Sequence, residues 1–408
     1  MSVLKTFLQK NKYLIGFGFL LTFLSSFGQT FVISLYLPFI QDEFELSDGG
    51  FSAIYSSATL ASAFTITWLG SFIDRVRLTK FTIFVMLGLV AATALFSQSY
   101  YIPVLFVALY GLRLFGQGMM SHTSITSMAR FFDDGRGKAI SFAALGHSVG
   151  EALLPIVIVS LISLIGWRYG VLSTMIVVLL SIPFALYLLR KNVDFKQLRK
   201  YIPTPFSKDE QKKAKPIEIM KTKAFWIILP SSLASASIGT GFLLFKLKLG
   251  LTKGWDPTFI AAGFTAYAVG NALSNLLAGF LSDRFSGSVL FPIYLLPFSI
   301  GLICLIFSSE MWVYLVLIAG IGTTNGFGGT VKNAALAEVY GTRIIGSVRS
   351  LFTTVMVFST AIGPVVFGLL LDAGYSYEFI ATGALIFFLL CTLNALRILK
   401  LRKVYSKE

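Results

Sequence analysis

The sequence predicts an all-α membrane protein whose twelve transmembrane helices form two pseudo-symmetric six-helix bundles. Three observations predict it. Hydrophobic residues make up 55% of the 408 and charged residues only 13%, too little charge to cover a water-soluble chain of that length. The apolar residues gather in blocks of about 20 or more, the length a helix needs to cross a ~30 Å hydrocarbon core. Short sequences also recur at a separation of about half the chain.

In chain order the spans fall near 13–38, 50–73, 79–98, 102–131, 138–164, 168–190, 224–248, 258–282, 287–307, 311–338, 347–371 and 377–399. Lys5, Lys10 and Lys12 precede the first, and "SSFGQT" (Ser25–Thr30) offers small residues where a secretory signal would be cleaved. Apolar residues continue through "FVISLYLPFI", which makes the segment long enough to span, so a retained first helix is expected.

The loops set the orientation. Arg75, Arg77 and Lys80 follow the second span, Arg130, Arg136 and Lys138 the fourth, and Arg343 and Arg349 the tenth. The N-terminal lysines and the tail "LKLRKVYSKE" fall on that same side, whereas the alternate loops are short or acidic, such as "QDEFELSD" after the first span. Lys246, Lys248 and Lys253, after the seventh, are the main exception. Both termini are therefore expected in the cytoplasm. This distribution also explains the net charge of +15 without a nucleic-acid partner. Residues 191–223, charged and proline-containing, read as a cytoplasmic linker between a bundle at 1–190 and another at 224–408; contact with anionic lipid headgroups is the second reading. Cys304 and Cys391 lie in apolar blocks and read as packing residues, with no disulfide, metal or cofactor implied.

The repeats are specific. "GSFIDRVR" (Gly70–Arg77) after the second span is echoed by "GFLSDRFS" (Gly279–Ser286) after the eighth. "GHSVGEALLP" (Gly146–Pro155) in the fifth has a weaker echo in the eleventh, "STAIGPVVFGLLLD". Duplicated bundles that rock about a midplane site are a transporter architecture. Asp74 and Arg75, at the cytoplasmic end of a helix, are placed to pair with neighbouring helix ends, and Gly70 admits close approach. Contacts of that kind made in only one conformation would bias the equilibrium between conformations. An ordinary tight loop with interfacial charges is the plainer alternative.

Polar groups near span centres mark a candidate site: Gln29 in the first, Arg113 in the fourth, His147 and Glu151 in the fifth, Asn271 and Asn275 in the eighth. An ionised side chain at the helix centre costs about 2.5–3.5 kcal/mol on insertion scales, so each should face a partner or an aqueous cavity. Arg113 and Glu151 fall at depths that agree to within about one turn, which admits an ion pair between them. Two readings of that pair stand: a structural tie between helices, or an anion and proton site. In the second, an anion competing for Arg113 frees Glu151 to bind a proton, and His147 on the same helical face relays it. The alternative for His147 is a hydrogen bond that simply bridges helices. Gly146 and Gly150 read as packing positions, and Pro155 as a kink. Lys332 on the tenth span either adds positive charge to the cavity or snorkels to the interface.

These residues resemble the major facilitator superfamily. Its Gly-x-x-x-Asp-Arg signature is matched at Gly70, Asp74 and Arg75 and again at Gly279, Asp283 and Arg284; its Arg-x-x-x-Gln-Gly element is matched at Arg113, Gln117 and Gly118. "AEVYGTRIIGSVRS" and "KGWDPTFIAAGFTAYAVGN" are similar to bacterial members akin to monocarboxylate and oxalate–formate porters. The resemblance covers essentially the whole chain. Two departures stand out: the first signature continues as Val76, Arg77, Leu78, Thr79, Lys80 where the family has a glycine and a basic pair, and Glu151 stands where antiporter members have proline.

The combined expectation is a secondary carrier, not an enzyme, moving a small organic anion by alternating access with proton coupling or exchange. A monomer in the plasma membrane is expected, the inner membrane for a bacterial chain. Alternatives are an exporter of hydrophobic or cationic compounds using Glu151 as charge partner, and a non-transporting receptor of the same fold. An intramembrane metalloenzyme is disfavoured, since the chain has no HExxH and only His122 and His147.

Overall fold

A computed structural model describes residues 2–74, 76–132, 136–191, 215–341 and 344–400. The chain forms two compact units, Met1–Leu46 with Ser57–Ile202 and Ser47–Ser56 with Pro203–Glu408. The described elements are helical throughout.

In the first part of the chain, α1 (Ser2–Ser25) is followed by a short 3₁₀ turn, then α2 (Thr30–Ile33) and α3 (Leu37–Phe44). The first expected span is therefore helical but interrupted. The second and third are α4 (Asp48–Leu69) and α5 (Leu78–Ser97), and the fourth is α6 (Ile102–Gly111) continuing into α7 (Ser121–Phe131). The fifth and sixth run together in α8 (Arg136–Arg190), broken where Gly166 takes φ 79° and ψ 162°. An L-residue rarely adopts that backbone, which is why glycine ends one span and begins the next there.

From residue 215 onward come α9 (Pro216–Met220), inside the expected linker, then α10 (Lys223–Thr252), α11 (Pro257–Phe285), α12 (Gly287–Leu290) and α13 (Leu296–Phe307). They are followed by α14 (Trp312–Tyr340), α15 (Ile345–Asp372) and α16 (Tyr377–Ala395). Side chains set several starts: Thr222, Asp256 and Ser376 each accept a hydrogen bond from the backbone N–H three residues on. Eight described helical segments are long and apolar enough to cross a membrane, the longest being Ala139–Arg190 with its break. The first, second and tenth expected spans are helical too, with interrupted or more polar sequences.

The halves pack by the same rule. In the first unit, α8 lies on α1 so closely that a β-carbon on Gly146 would sit 2.1 Å from the Phe19 carbonyl oxygen. In the second, α15 lies on α10 with the same spacing, Gly363 against the Ser237 carbonyl. The α7 side chain His122 reaches the Gly70 carbonyl at 3.2 Å, and Tyr110 of α6 reaches Thr65 of α4 at 2.9 Å. The matching second-unit pair, α14 on α11, joins Thr330 to Asn275 at 2.5 Å and Asn325 to Tyr267 at 3.0 Å. Small residues let backbones approach where no hydrophobic force drives helices together in lipid. The duplicated sequences thus fold into duplicated helix pairs.

In the first unit Arg168, just past the break in α8, ties the end of α3 to the loop that follows α5. Its guanidinium donates to the carbonyls of Ser97 and Ser99 and pairs with Glu43, while stacking 4.1 Å from the Tyr100 ring centre. The Trp167 indole donates to the same carboxylate at 3.1 Å.

Candidate functional site

The first span breaks at the stretch whose small residues resemble a cleavage site. Ser26–Gly28 form a 3₁₀ turn, Gln29 is extended (φ −84°, ψ 153°), and the helix resumes at Thr30. The break lies against a second irregularity, a nine-residue π-helix at Leu112–Met120 that carries Arg113 and Gln117. A β-carbon on Gly28 would fall 2.1 Å from the Leu112 carbonyl oxygen and 2.6 Å from the Gln117 nitrogen, so only glycine permits this crossing. π-helical turns in an α-helix are often found at functional sites.

Arg113 serves the break. Its side chain is buried, 3% exposed, and Nη1 lies 3.3 Å from both the Gly28 carbonyl oxygen and the Thr30 hydroxyl. A broken helix leaves carbonyls without their usual partners, and inside a membrane such groups must be met from within the protein. The guanidinium meets one of them while holding positive charge at that depth.

On its other flank the break meets α8. A β-carbon on Gly150 would lie 2.2 Å from the Ser26 hydroxyl, and the His147 ring packs edge-on against Phe31 at 5.9 Å. One turn along, Glu151 is 2% exposed and pairs with His147, Nε2 to Oε1 at 3.2 Å. Two buried atoms of this pair, Glu151 Oε2 and His147 Nδ1, have no hydrogen-bond partner among the described residues. His147 retains 33% side-chain exposure while Glu151 has 3%, so the imidazole is the accessible member. The carboxylate has a described ionic partner in His147, on its own helix. Gln29, Arg113, Gln117, His147 and Glu151 thus all lie on elements that meet at the break.

In the second unit Asn271 lies where α14 crosses α11: a β-carbon on Gly326 would fall 2.1 Å from its carbonyl oxygen. Asn275 accepts from Thr330, and Lys332 places its ammonium 2.9 Å from the Met356 sulfur of α15. In the paired signature, Gly70 belongs to a 3₁₀ turn and carries the His122 contact, whereas Gly279 has open space around its α-carbon. Arg284 is exposed, 5.2 Å from the Phe285 ring centre. Arg75 and the side chains of Asp74 and Asp283 lie outside the described residues.

Lys246 and Lys248 are corrected. Sequence puts them in a loop after the seventh span, but α10 runs on to Thr252. Lys246 is 1% exposed, with Nζ 5.0 Å from the Phe264 ring centre and 3.3 Å from the Leu243 carbonyl oxygen; Lys248 pairs with Asp48 at 2.5 Å. Neither is a free loop charge, so the exception to the loop-charge pattern shrinks. The available signal was spacing: Lys246, Lys248 and the apolar residues around them continue the helical pattern through Gly250, and the left-handed glycine comes only at Gly254.

Buried ionisable groups at an interrupted membrane helix, in a fold of two related helical halves, are the construction of a membrane transport protein. The chain belongs to the Major Facilitator Superfamily, whose model matches residues 18–254 and again 231–407. Among solved structures it is similar to a bacterial homologue of the human lysosomal transporter Spinster, in an inward-facing and unoccupied conformation. The two share 17% identity over 98% of this chain and 97% of that one, with a TM-score of 0.68. The nucleoside transporter NupG aligns at 12% identity over 95% and 98% of the two chains, with a TM-score of 0.73. A peptide transporter in complex with alafosfalin aligns at 14% identity over 96% and 95%, with a TM-score of 0.71. At these identities the likeness is one of fold. Comparison with curated proteins gives no match.

Proposed function

We propose that the chain is a proton-coupled or exchanging carrier of a small organic anion, a carboxylate, working by alternating access. The observation that carries this reading is the Glu151–His147 pair, whose buried Oε2 and Nδ1 have no partner among the described residues, beside the break that Arg113 serves. A carboxylate and an imidazole in contact share a proton easily, and histidine's reference pKa near 6.5 suits exchange around neutral pH. Arg113 supplies the fork that recognises a carboxylate. Lys332 adds positive charge in the second half. Gly70, Asp74 and Arg75, with Gly279, Asp283 and Arg284, act as the paired gating signature.

The basic loops support cytoplasmic termini, with 1–190 and 224–408 as the two bundles and 191–223 joining them. The working unit is a monomer, and for a bacterial chain the membrane is the inner one. Glu151 also favours the second reading, an exporter of cationic compounds, because a buried carboxylate is a natural partner for an organic cation.

Uptake by proteoliposomes separates the two. A panel of labelled mono- and dicarboxylates and lipophilic amines is offered to wild type and Arg113→Ala. Loss of carboxylate flux in Arg113→Ala supports the anion carrier. Amine flux that survives this change, with no carboxylate flux in wild type, supports the exporter.

A further inference from the structure

A cavity of about 310 Å³ lies in the second unit, at the C-terminal end of α10, where it meets residues 371–378 and Asp48. Its size falls at the lower end of small-molecule sites. Two ion pairs line it: Lys248 with Asp48, and Lys253 with Glu378. The members of each pair differ in access. Lys248 is 37% exposed and Glu378 34%, whereas Asp48 is 6% and Lys253 11% exposed. The cavity therefore presents one reachable ammonium and one reachable carboxylate, each backed by a buried counter-charge.

The lining is held in place. Asp372 accepts hydrogen bonds from the backbone nitrogens of Asp48 and Gly49, both at 2.8 Å, and fixes the segment that carries Asp48. Lys253 also donates to the Ser309 hydroxyl at 2.9 Å. Tyr375 stacks on Phe379 at 4.4 Å and forms a flat wall. Tyr377 is also among the residues that line the cavity. This residue is 5% exposed, and its buried hydroxyl has no hydrogen-bond partner among the described residues. A buried hydroxyl without a partner is costly, and a ligand oxygen would satisfy it.

We propose that this cavity binds a small zwitterion carrying one carboxylate and one ammonium group. The ligand carboxylate takes the Tyr377 hydroxyl and the exposed Lys248 ammonium; its ammonium takes the exposed Glu378 carboxylate. A simple anion would meet Glu378 and Asp48, and a simple cation would meet Lys248 and Lys253. Only a molecule of both signs is favoured by both accessible groups. The site shares no residue with the Arg113–Glu151 region and does not depend on the transport reading.

The test is calorimetric titration of the full-length purified protein with glycine, β-alanine and 4-aminobutanoate, against acetate and methylamine. The expected result is saturable binding of at least one zwitterion, at least about tenfold tighter than either single-charge compound, and weakened about tenfold or more by Tyr377→Phe. That substitution removes one oxygen and keeps the ring, so the fold is retained. Glu378→Gln should weaken the zwitterion more than it weakens acetate. Equal binding of acetate or methylamine, absence of zwitterion binding, or binding indifferent to Tyr377→Phe would overturn the proposal.

Discussion

At the level of single residues the account rests on Arg113, His147 and Glu151. Arg113 reaches two acceptors across the break from Nη1, and its planar guanidinium offers a ligand carboxylate two parallel N–H donors, which a lysine's point charge cannot copy. Arg113→Lys should therefore lower carboxylate uptake by about tenfold or more while leaving the protein folded, measured as initial rates in proteoliposomes beside a size-exclusion profile. The three ionisable residues were legible in the sequence because charge inside an apolar block is conspicuous. The partner of Glu151 was harder to read. Depth along neighbouring spans points to Arg113, but the described pair is made with His147, one turn away on the same helix. Helical spacing of four is as strong a signal as depth, and it acts within a single element.

The break in the first span governs the element scale. Nothing local in "SSFGQT" distinguishes a helix break from a packing seam, since serine and glycine serve both. The deciding contact is long-range: Gly28 against Leu112 and Gln117, 84 and 89 positions away in the chain. The π-helix facing it was equally illegible, because one extra residue per turn leaves no compositional trace. Gly28→Val should abolish correct packing, seen as loss of monodisperse protein after extraction; a well-folded Gly28→Val protein would contradict the crossing described here. Gly166 and Gly279 make a sharper pair. Gly166→Ala meets no atoms within 4 Å but must adopt φ near 79° with ψ near 162°, a region essentially reserved for glycine, and should cost about 1–3 kcal/mol in thermal unfolding. Gly279→Ala also meets no atoms within 4 Å, yet sits in a regular helix, and should be neutral or stabilising by up to about 1 kcal/mol.

For the molecule as a whole, the twelve-helix plan and its duplication were readable because hydropathy and repeats are additive along the chain. The exposed surface of each helix and its small-residue seams follow from the same pattern. Charge placement was less readable: Lys246 and Lys248 look like loop residues until the helix is seen to hold them, one over a ring and one on Asp48. The basic loops still predict cytoplasmic termini. In a bacterial host a C-terminal green fluorescent protein fusion should fluoresce and an alkaline phosphatase fusion should be inactive; the opposite pattern would reverse the orientation. The central claim is that Glu151 binds the proton that couples to transport. It is tested most directly by comparing wild type and Glu151→Gln in proteoliposomes, once for pH-gradient-driven accumulation of a transported carboxylate and once for counterflow without a gradient. The account predicts that the variant loses accumulation but keeps counterflow; unchanged gradient-driven accumulation would contradict it.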